Sequence, residues 1–366
     1  MPTRLICALS ALLLCGSLGS PVLPAAEEET YDPNTTQAQP GFVKQEFIYV
    51  TPEHPQCHAS TLAETSSGLV AAWFGGTHEK NPDVGIWFSR HLNDEWTKPV
   101  ELYNGVQADG TRHPTWNPVL HQVADGPLIL FYKVGPDPRT WWGMMAKSYD
   151  DGQTWGDPVR LPDEIPGPIK NKPFVTKEGT LLSPTSTENE GWRVQIDWTK
   201  DEGRSWHSTG PLNDGEEIGA IQPSIVQYGD RLQILCRSRQ GKIAEAWSDD
   251  NGRTWGEMTL SEMPNNNSGT DAVNMKQGGV ILIYNHVGGK RDRSPLNIAV
   301  TENGKDWQAG LVLESNPGEY SYPAIIQTSD GMIHATYTFK RRRVKHVVID
   351  PTKLELKPIV DGVWPE

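Results

Sequence analysis

Six short segments of this chain open with a polar side chain that could do chemistry, and they recur at nearly even intervals. They read His58-Ala59-Ser60, Asn117-Pro118-Val119, Lys172-Pro173-Phe174, Gln222-Pro223-Ser224, Asp271-Ala272-Val273 and Tyr322-Pro323-Ala324, at spacings of 59, 55, 50, 49 and 51. An imidazole, an amine, a carboxylate and a phenol gathered in one place can move protons or attack an electrophile. Lys133, Arg237 and Arg293 fall at or near the ends of neighbouring apolar runs, and an arginine there offers a planar fork that matches a carboxylate. The chain carries 46 acidic against 33 basic residues, a net charge of −13, so cations at a pocket select one small anion while the overall field opposes nucleic acid and anionic membranes. Glu79 and Asp83, in the loop after Gly75-Gly76, are candidate acids, and Trp142 is a candidate platform for a sugar ring.

Positioning such a set requires a repeated element. The chain of 366 residues has 14 Trp against 7 Phe, and the excess traces to a repeat. Ser148 to Trp155, Thr199 to Trp206 and Ser248 to Trp255 share Ser or Thr, then Asp, Gly, Ser or Thr, and Trp at fixed offsets, with weaker copies ending at Trp96 and Trp307. Each box reads as a turn in which Asp binds nearby backbone N–H groups, Gly takes a positive φ and Trp packs beneath. Short apolar or alternating strands such as 69–74, 128–132, 232–236, 280–284 and 332–337 lie between boxes, with no helical periodicity. Four short strands per unit of about fifty residues predict an all-β, six-bladed β-propeller, its last blade closed by pairing an N-terminal strand at 46–51 with strands around 344–348. Inner strands surround the axis, so the six polar residues are expected at one mouth of the central channel.

Residues 1–25 read as a secretory signal peptide, with Arg4 before an apolar run at 5–16 and small residues up to Ala26. Residues 26–45 read as a disordered lead-in and 46–366 as one domain, expected in the secreted or periplasmic space as a monomer without a membrane span. Cys57 and Cys236 then remain, enough for one bridge and for no disulfide scaffold. Scattered histidines and this cysteine spacing imply no metal, and no cofactor motif is present.

The boxes, the blade count and the polar ring together resemble the sialidase (neuraminidase) superfamily of Asp-box propellers, over about residues 46–350. That resemblance implies a substrate carboxylate held by three Arg, an Asp acid/base, and a Tyr nucleophile activated by a Glu. Arg237 and Arg293 match the second and third Arg, Tyr322 the nucleophile, and Asp83 the acid/base, with Glu79 as its rival. The chain departs at two positions. His58 stands where the family has Arg in an Arg-Ile-Pro motif, and Gln222 where it has Glu.

The leading expectation is an exo-acting glycoside hydrolase on a terminal acidic or deoxy sugar, with Arg237 and Arg293 as anion clamp, Asn117, Lys172, Asp271, Lys133 and Trp142 as further contacts, Asp83 or Glu79 as acid and Tyr322 as nucleophile. A polysaccharide lyase using His58 or Tyr322 as base, and a non-catalytic glycan-binding propeller, are the alternatives.

Overall fold

The computed structural model describes Met1 and residues 39–289 and 293–366, so the expected signal peptide and most of the lead-in lie outside the described residues. The described chain is almost wholly strand and turn, with one 3-10 turn at Pro351–Lys353. Six sheets of four or five strands form the six blades of a β-propeller, and a two-stranded ribbon, Gly105–Val106 with Arg112–His113, stands apart from them.

Blade 1 begins with inner strand Gln56–Thr65, blade 2 with Thr115–Gln122, blade 3 with Phe174–Val175, blade 4 with Ala220–Tyr228, blade 5 with Asp271–Asn274 and blade 6 with Tyr320–Gln327. Each runs antiparallel into its neighbour. Both faces of these sheets are apolar, and each face is covered by the adjacent blade. The core is accordingly divided into seams: Leu120, Leu130 and Tyr132 of blade 2 pack on Ala72, Ile86 and Phe88 of blade 1, and Ile234 and Ala244 of blade 4 pack on Val194 and Ile196 of blade 3.

The boxes join the third strand of a blade to its outer strand. Ser148 Oγ accepts from Gly152 N at 2.8 Å, while Asp150 accepts from Thr154 N at 2.8 Å and from Thr154 Oγ1 at 2.6 Å. The boxes at Thr199 and Ser248 repeat those bonds. Gly152 has φ +79, and a Cβ there would lie 2.5 Å from Phe88 Cζ of the preceding blade, so the glycine serves both the turn and the seam.

Closure is as expected in kind and displaced in position. The closing strand is Phe42–Phe47, four residues earlier than the 46–51 read from sequence, and it pairs with Arg343–Ile349 as the outer strand of blade 6. The lead-in therefore already contributes the first residues of this strand. Ile48 and Tyr49 continue from it into the seam between blades 6 and 1, packing with Trp73, Leu69 and Ile326. Glu46 accepts from Trp96 Nε1 of blade 1 at 3.2 Å and meets His346 Nδ1 of blade 6 at 3.0 Å. Burial opposes its charge, but the His346 and Lys44 hydrogen bonds prevail and bring its carboxyl down to about 2.

Removing Phe42–Phe47 would leave Arg343–Ile349 as an unpaired edge and strip one seam. The truncated protein is expected to lose its single cooperative melting transition and to associate in sedimentation. A truncated monomer with an unchanged melting temperature would overturn this account of closure.

Candidate active site

The inner strands are interrupted near the axis by bulges, and these place the site residues. In blades 1, 2, 4 and 6 the register slips by a residue after His58, Trp116, Ile221 and Ser321. The residue that follows takes the left-handed region: Ala59 at φ 53°, Asn117 at 37°, Gln222 at 57° and Tyr322 at 49°. This corrects the sequence register in blade 1. The position equivalent to Asn117, Gln222 and Tyr322 is Ala59, and His58 is equivalent to Trp116, Ile221 and Ser321. A bulge shifts which side chain faces the axis, and of the four bulged segments the one without a proline at the second position is the one misplaced.

Tyr322, Gln222 and Arg237 form the centre. Arg237 Nη1 donates to Tyr322 Oη at 2.7 Å and to Gln222 Oε1 at 3.3 Å, and Gln222 Nε2 donates to Tyr322 Oη at 3.4 Å. Arg237 Nη2 donates to both the carbonyl and the side-chain oxygen of Asn267. Arg293 lies over the Tyr322 ring, 5.4 Å from its centroid, and His58 packs on that ring at 4.1 Å between centroids. His58 Nδ1 meets Thr338 Oγ1 at 3.0 Å. Burial first, then the charges of Arg341, Arg293 and Arg237, hold the His58 imidazole well below its usual pKa, so it is neutral in the folded protein.

A cavity of about 610 Å³ opens over this centre, lined by Trp192, Arg237, Asn267, Arg293, Glu319 and Arg341 among others. Arg341, at the turn between the second and third strands of blade 6, is a cation that the spacing argument missed. It binds Glu79 at 2.6 Å and Glu319 at 2.7 Å, and Glu319 also holds Arg293 at 3.2 Å. The run Lys340-Arg341-Arg342-Arg343, dense in cations for so acidic a chain, was the available signal. Trp192 was missed as well. Arg237 and Arg239 both lie over its ring, at 5.0 and 4.5 Å, and its indole N–H donates to Glu188 at 3.0 Å.

Several expected contacts are engaged elsewhere. Lys172 Nζ donates to both oxygens of Asp271 at 2.9 Å, and Asp271 also accepts from Ser224 Oγ and Ile325 N, so this pair braces four blades. Lys133 is fully buried against the carbonyl of Pro168. Trp142 is covered by Arg160, 4.9 Å from its ring, and by His113 at 5.6 Å, and it does not line the cavity. Asn117 is buried in its bulge. Asp83 accepts from Thr77 N and, at 2.6 Å, from Thr77 Oγ1 across its own loop, and it has no ion pair among the described residues. Cys57 and Cys236 are both free and buried. No group of three His, Cys, Asp or Glu among the described residues is placed to hold a metal ion.

The BNR repeat-like domain family model matches residues 67–335, most of the chain. The chain belongs to this family. It is a divergent BNR propeller of the sialidase superfamily. It is 24% identical over 255 residues to a sialidase of Bacteroides fragilis, covering 57% of this chain and 45% of that protein, so it spans under half the length of that curated relative. Among solved structures it is similar to the intramolecular trans-sialidase of Ruminococcus gnavus in complex with oseltamivir carboxylate, with 14% identity, TM-score 0.69, and 86% and 98% of the two chains covered. The K499G mutant of the NanB sialidase of Streptococcus pneumoniae gives 12% identity and TM-score 0.68, covering 87% and 71%. A Dyadobacter fermentans protein of unknown function gives 15% identity and TM-score 0.70, covering 87% and 100%. At these identities the structural likeness shows a common fold. No helix among the described residues of this BNR propeller is long and apolar enough to cross a membrane.

His54, His121, His286 and His334 share the condition of His58, each brought down to about 4 chiefly by burial. An unfolded histidine takes up its proton near 6.5, so between 6.5 and about 4 the unfolded chain binds more protons and stability falls as pH falls. Melting temperatures are expected to drop through this window. His58→Asn should flatten the slope by one proton, and a slope left unchanged would mean that His58 is charged in the folded state.

Proposed function

We propose that this BNR propeller is a glycan-acting enzyme that releases a terminal acidic sugar, exported by its N-terminal leader to act outside the cytoplasm. The observation that carries the reading is the direct contact of Arg237 with Tyr322, 2.7 Å, at the floor of a cavity also lined by Arg293 and Arg341. A nucleophile and an anion clamp meet there. The sugar carboxylate lies on the three guanidinium groups, which orients the anomeric carbon toward Tyr322 Oη. The phenol oxygen forms the new bond to that carbon while the glycosidic C–O bond breaks. Asp83 protonates the departing oxygen. It suits this role better than Glu79, whose carboxylate is taken up by its ion pair with Arg341. Gln222 cannot accept the phenolic proton, and His58, packed on the tyrosine ring, meets Thr338 Oγ1 and Arg293 Nη1 with its two ring nitrogens, so the proton passes to solvent in the cavity. Water then releases the sugar from Tyr322, with Asp83 as base.

One feature favours a second reading. His58 is a neutral imidazole beside Arg293, and in an elimination a uronic carboxylate would draw Arg293 off His58 Nε2 and leave that nitrogen to remove the neighbouring proton. The products differ, since elimination leaves an unsaturated uronate that absorbs in the ultraviolet and hydrolysis does not.

Aryl glycosides of sialic, deoxy-ulosonic, uronic and deoxyhexose sugars, followed both by aryl release and by ultraviolet absorbance, test the two chemistries. Arg237→Lys keeps the charge and loses the fork, and is expected to weaken binding of the sugar acid by about 1.5–3 kcal/mol. Tyr322→Phe should abolish turnover while binding survives, because it frees Arg237 Nη1 for the ligand. Near-normal turnover by Tyr322→Phe would remove the nucleophile and favour His58 and elimination. Saturable binding without turnover of any of these would leave a glycan-binding module.

A further inference from the structure

Tyr322 and Gln222 both sit in the left-handed region, at φ 49° and 57°. Such backbone costs a non-glycine residue of order 1–3 kcal/mol and persists where its surroundings over-determine it. The groups that hold these two residues come largely from one place, the adjacent residues Lys170 and Asn171 before blade 3. Asn171 Nδ2 donates to the Gln222 carbonyl at 2.9 Å and to Ser224 Oγ at 2.9 Å. Its Oδ1 accepts from Lys170 Nζ at 2.8 Å. Lys170 Nζ donates in addition to the Thr270 carbonyl at 2.8 Å and to the carbonyl of Pro323, the residue after Tyr322. The lysine stem passes beside both site side chains, since a Cβ built on Gly269 would stand 3.4 Å from Lys170 Cε, 3.4 Å from Tyr322 Cδ2 and 3.5 Å from Gln222 Oε1.

Lys170 is only 2% exposed, and its hydrogen bonds go to neutral oxygens, the nearby Asp271 being engaged by Lys172. Burying an amine this way is costly, and an apolar side chain would fill the same space more cheaply. The cost is offset by what the three hydrogen bonds fix. We propose that Lys170 and Asn171 are positioning residues that hold Tyr322 and Gln222, from inside the channel, in the backbone conformation that presents them to the cavity.

Proton count adds a consequence. An ammonium has three N–H groups for the three acceptors Asn171 Oδ1, Thr270 O and Pro323 O, whereas a neutral amine has two. Burial brings the Lys170 amine down to about 7, with Asp271 raising it and Lys172 and Arg237 lowering it further. The charged or titratable groups around it are thus Asp271, Lys172, Arg237, the Tyr322 phenol and the neutral His58. The grip on Pro323 is complete below this pH and loosens as pH rises through it.

The kinetic part of the test rests on the nucleophile assignment above, so a second readout is independent of it. On a glycoside that the wild-type protein turns over, Lys170→Met is expected to lower kcat by about 10–100-fold with KM nearly unchanged, the scale of a misplaced reacting group. It should also abolish the wild-type decline in kcat as pH rises through 7. Wild-type kcat and pH profile in a folded Lys170→Met protein would overturn the proposal. If the wild-type protein turns over none of the glycosides, the nucleophile reading fails, and crystal structures of the variant decide positioning. Movement of residue 322 or 222 out of the left-handed region supports it, and an unchanged backbone overturns it. Should Lys170→Met fail to fold, Asn171→Ser takes its place, expected to release the Gln222 carbonyl, and judged by the same structural criterion.

Discussion

A sheet that is apolar on both faces cannot stand alone in water, and that constraint governs this molecule. Each blade buries its faces only against its two neighbours, so six seams replace a central core and the last of them is not complete until the ring is. The outer strand of blade 6 is therefore borrowed from the N-terminal end of the chain, Phe42–Phe47. The segment just after it, Ile48 and Tyr49, fills the last seam. Glu46 links the closing strand to Trp96 of blade 1 and His346 of blade 6, a polar clasp at the point where the ring would otherwise open.

Closure also decides where chemistry is placed. Six inner strands converge on the axis, and bulges in four of them turn one residue each into a left-handed backbone. Residues 100 apart in sequence, Gln222 and Tyr322, thereby come within hydrogen-bond reach. The channel beneath is packed with polar side chains that satisfy one another and the bulged backbone: Lys172 with Asp271, Asn171 with Gln222, Lys170 with Pro323. Rigid seams outside and a hydrogen-bonded plug inside give the cavity a firm floor.

The features that could be read from sequence were those written locally. A box completes its own turn within eight residues, so three intact copies announced the blades, the repeat length and the propeller. Arg237, Arg293, Gln222 and Tyr322 were found by their place in that repeat, and they do meet. What could not be read depended on partners far away. Lys172 looked like a substrate contact because Asp271, which neutralises it, is 99 residues distant. His58 was set one place out of register because a bulge leaves no mark where no proline follows. Arg341 escaped notice because it lies in a hairpin turn and enters the cavity only through the fold's closure. Trp142 and Trp192 are both aromatic residues at strand beginnings. Only the packing of Arg160 and His113 over one, and the cavity beside the other, tells them apart.

The charge inventory of the cavity narrows what it can hold. Among the described residues, Arg237, Arg293 and Arg341 line it together with Glu319, and Glu79 reaches Arg341 from beside it. Both glutamates are spent on Arg293 and Arg341. Arg237 differs, for its hydrogen-bond partners Tyr322, Gln222 and Asn267 are all neutral. Lys172 and Asp271 cancel below the floor, and His58 is uncharged. A ligand carboxylate would supply the charged partner that Arg237 lacks, while the chain's net charge of −13 opposes the approach of a dianion such as a phosphate monoester. A guanidinium that is 6% exposed and has no carboxylate partner among the described residues is costly to maintain in the free protein. That cost is recovered when an anion binds, so the site prefers a ligand that brings a carboxylate to Arg237.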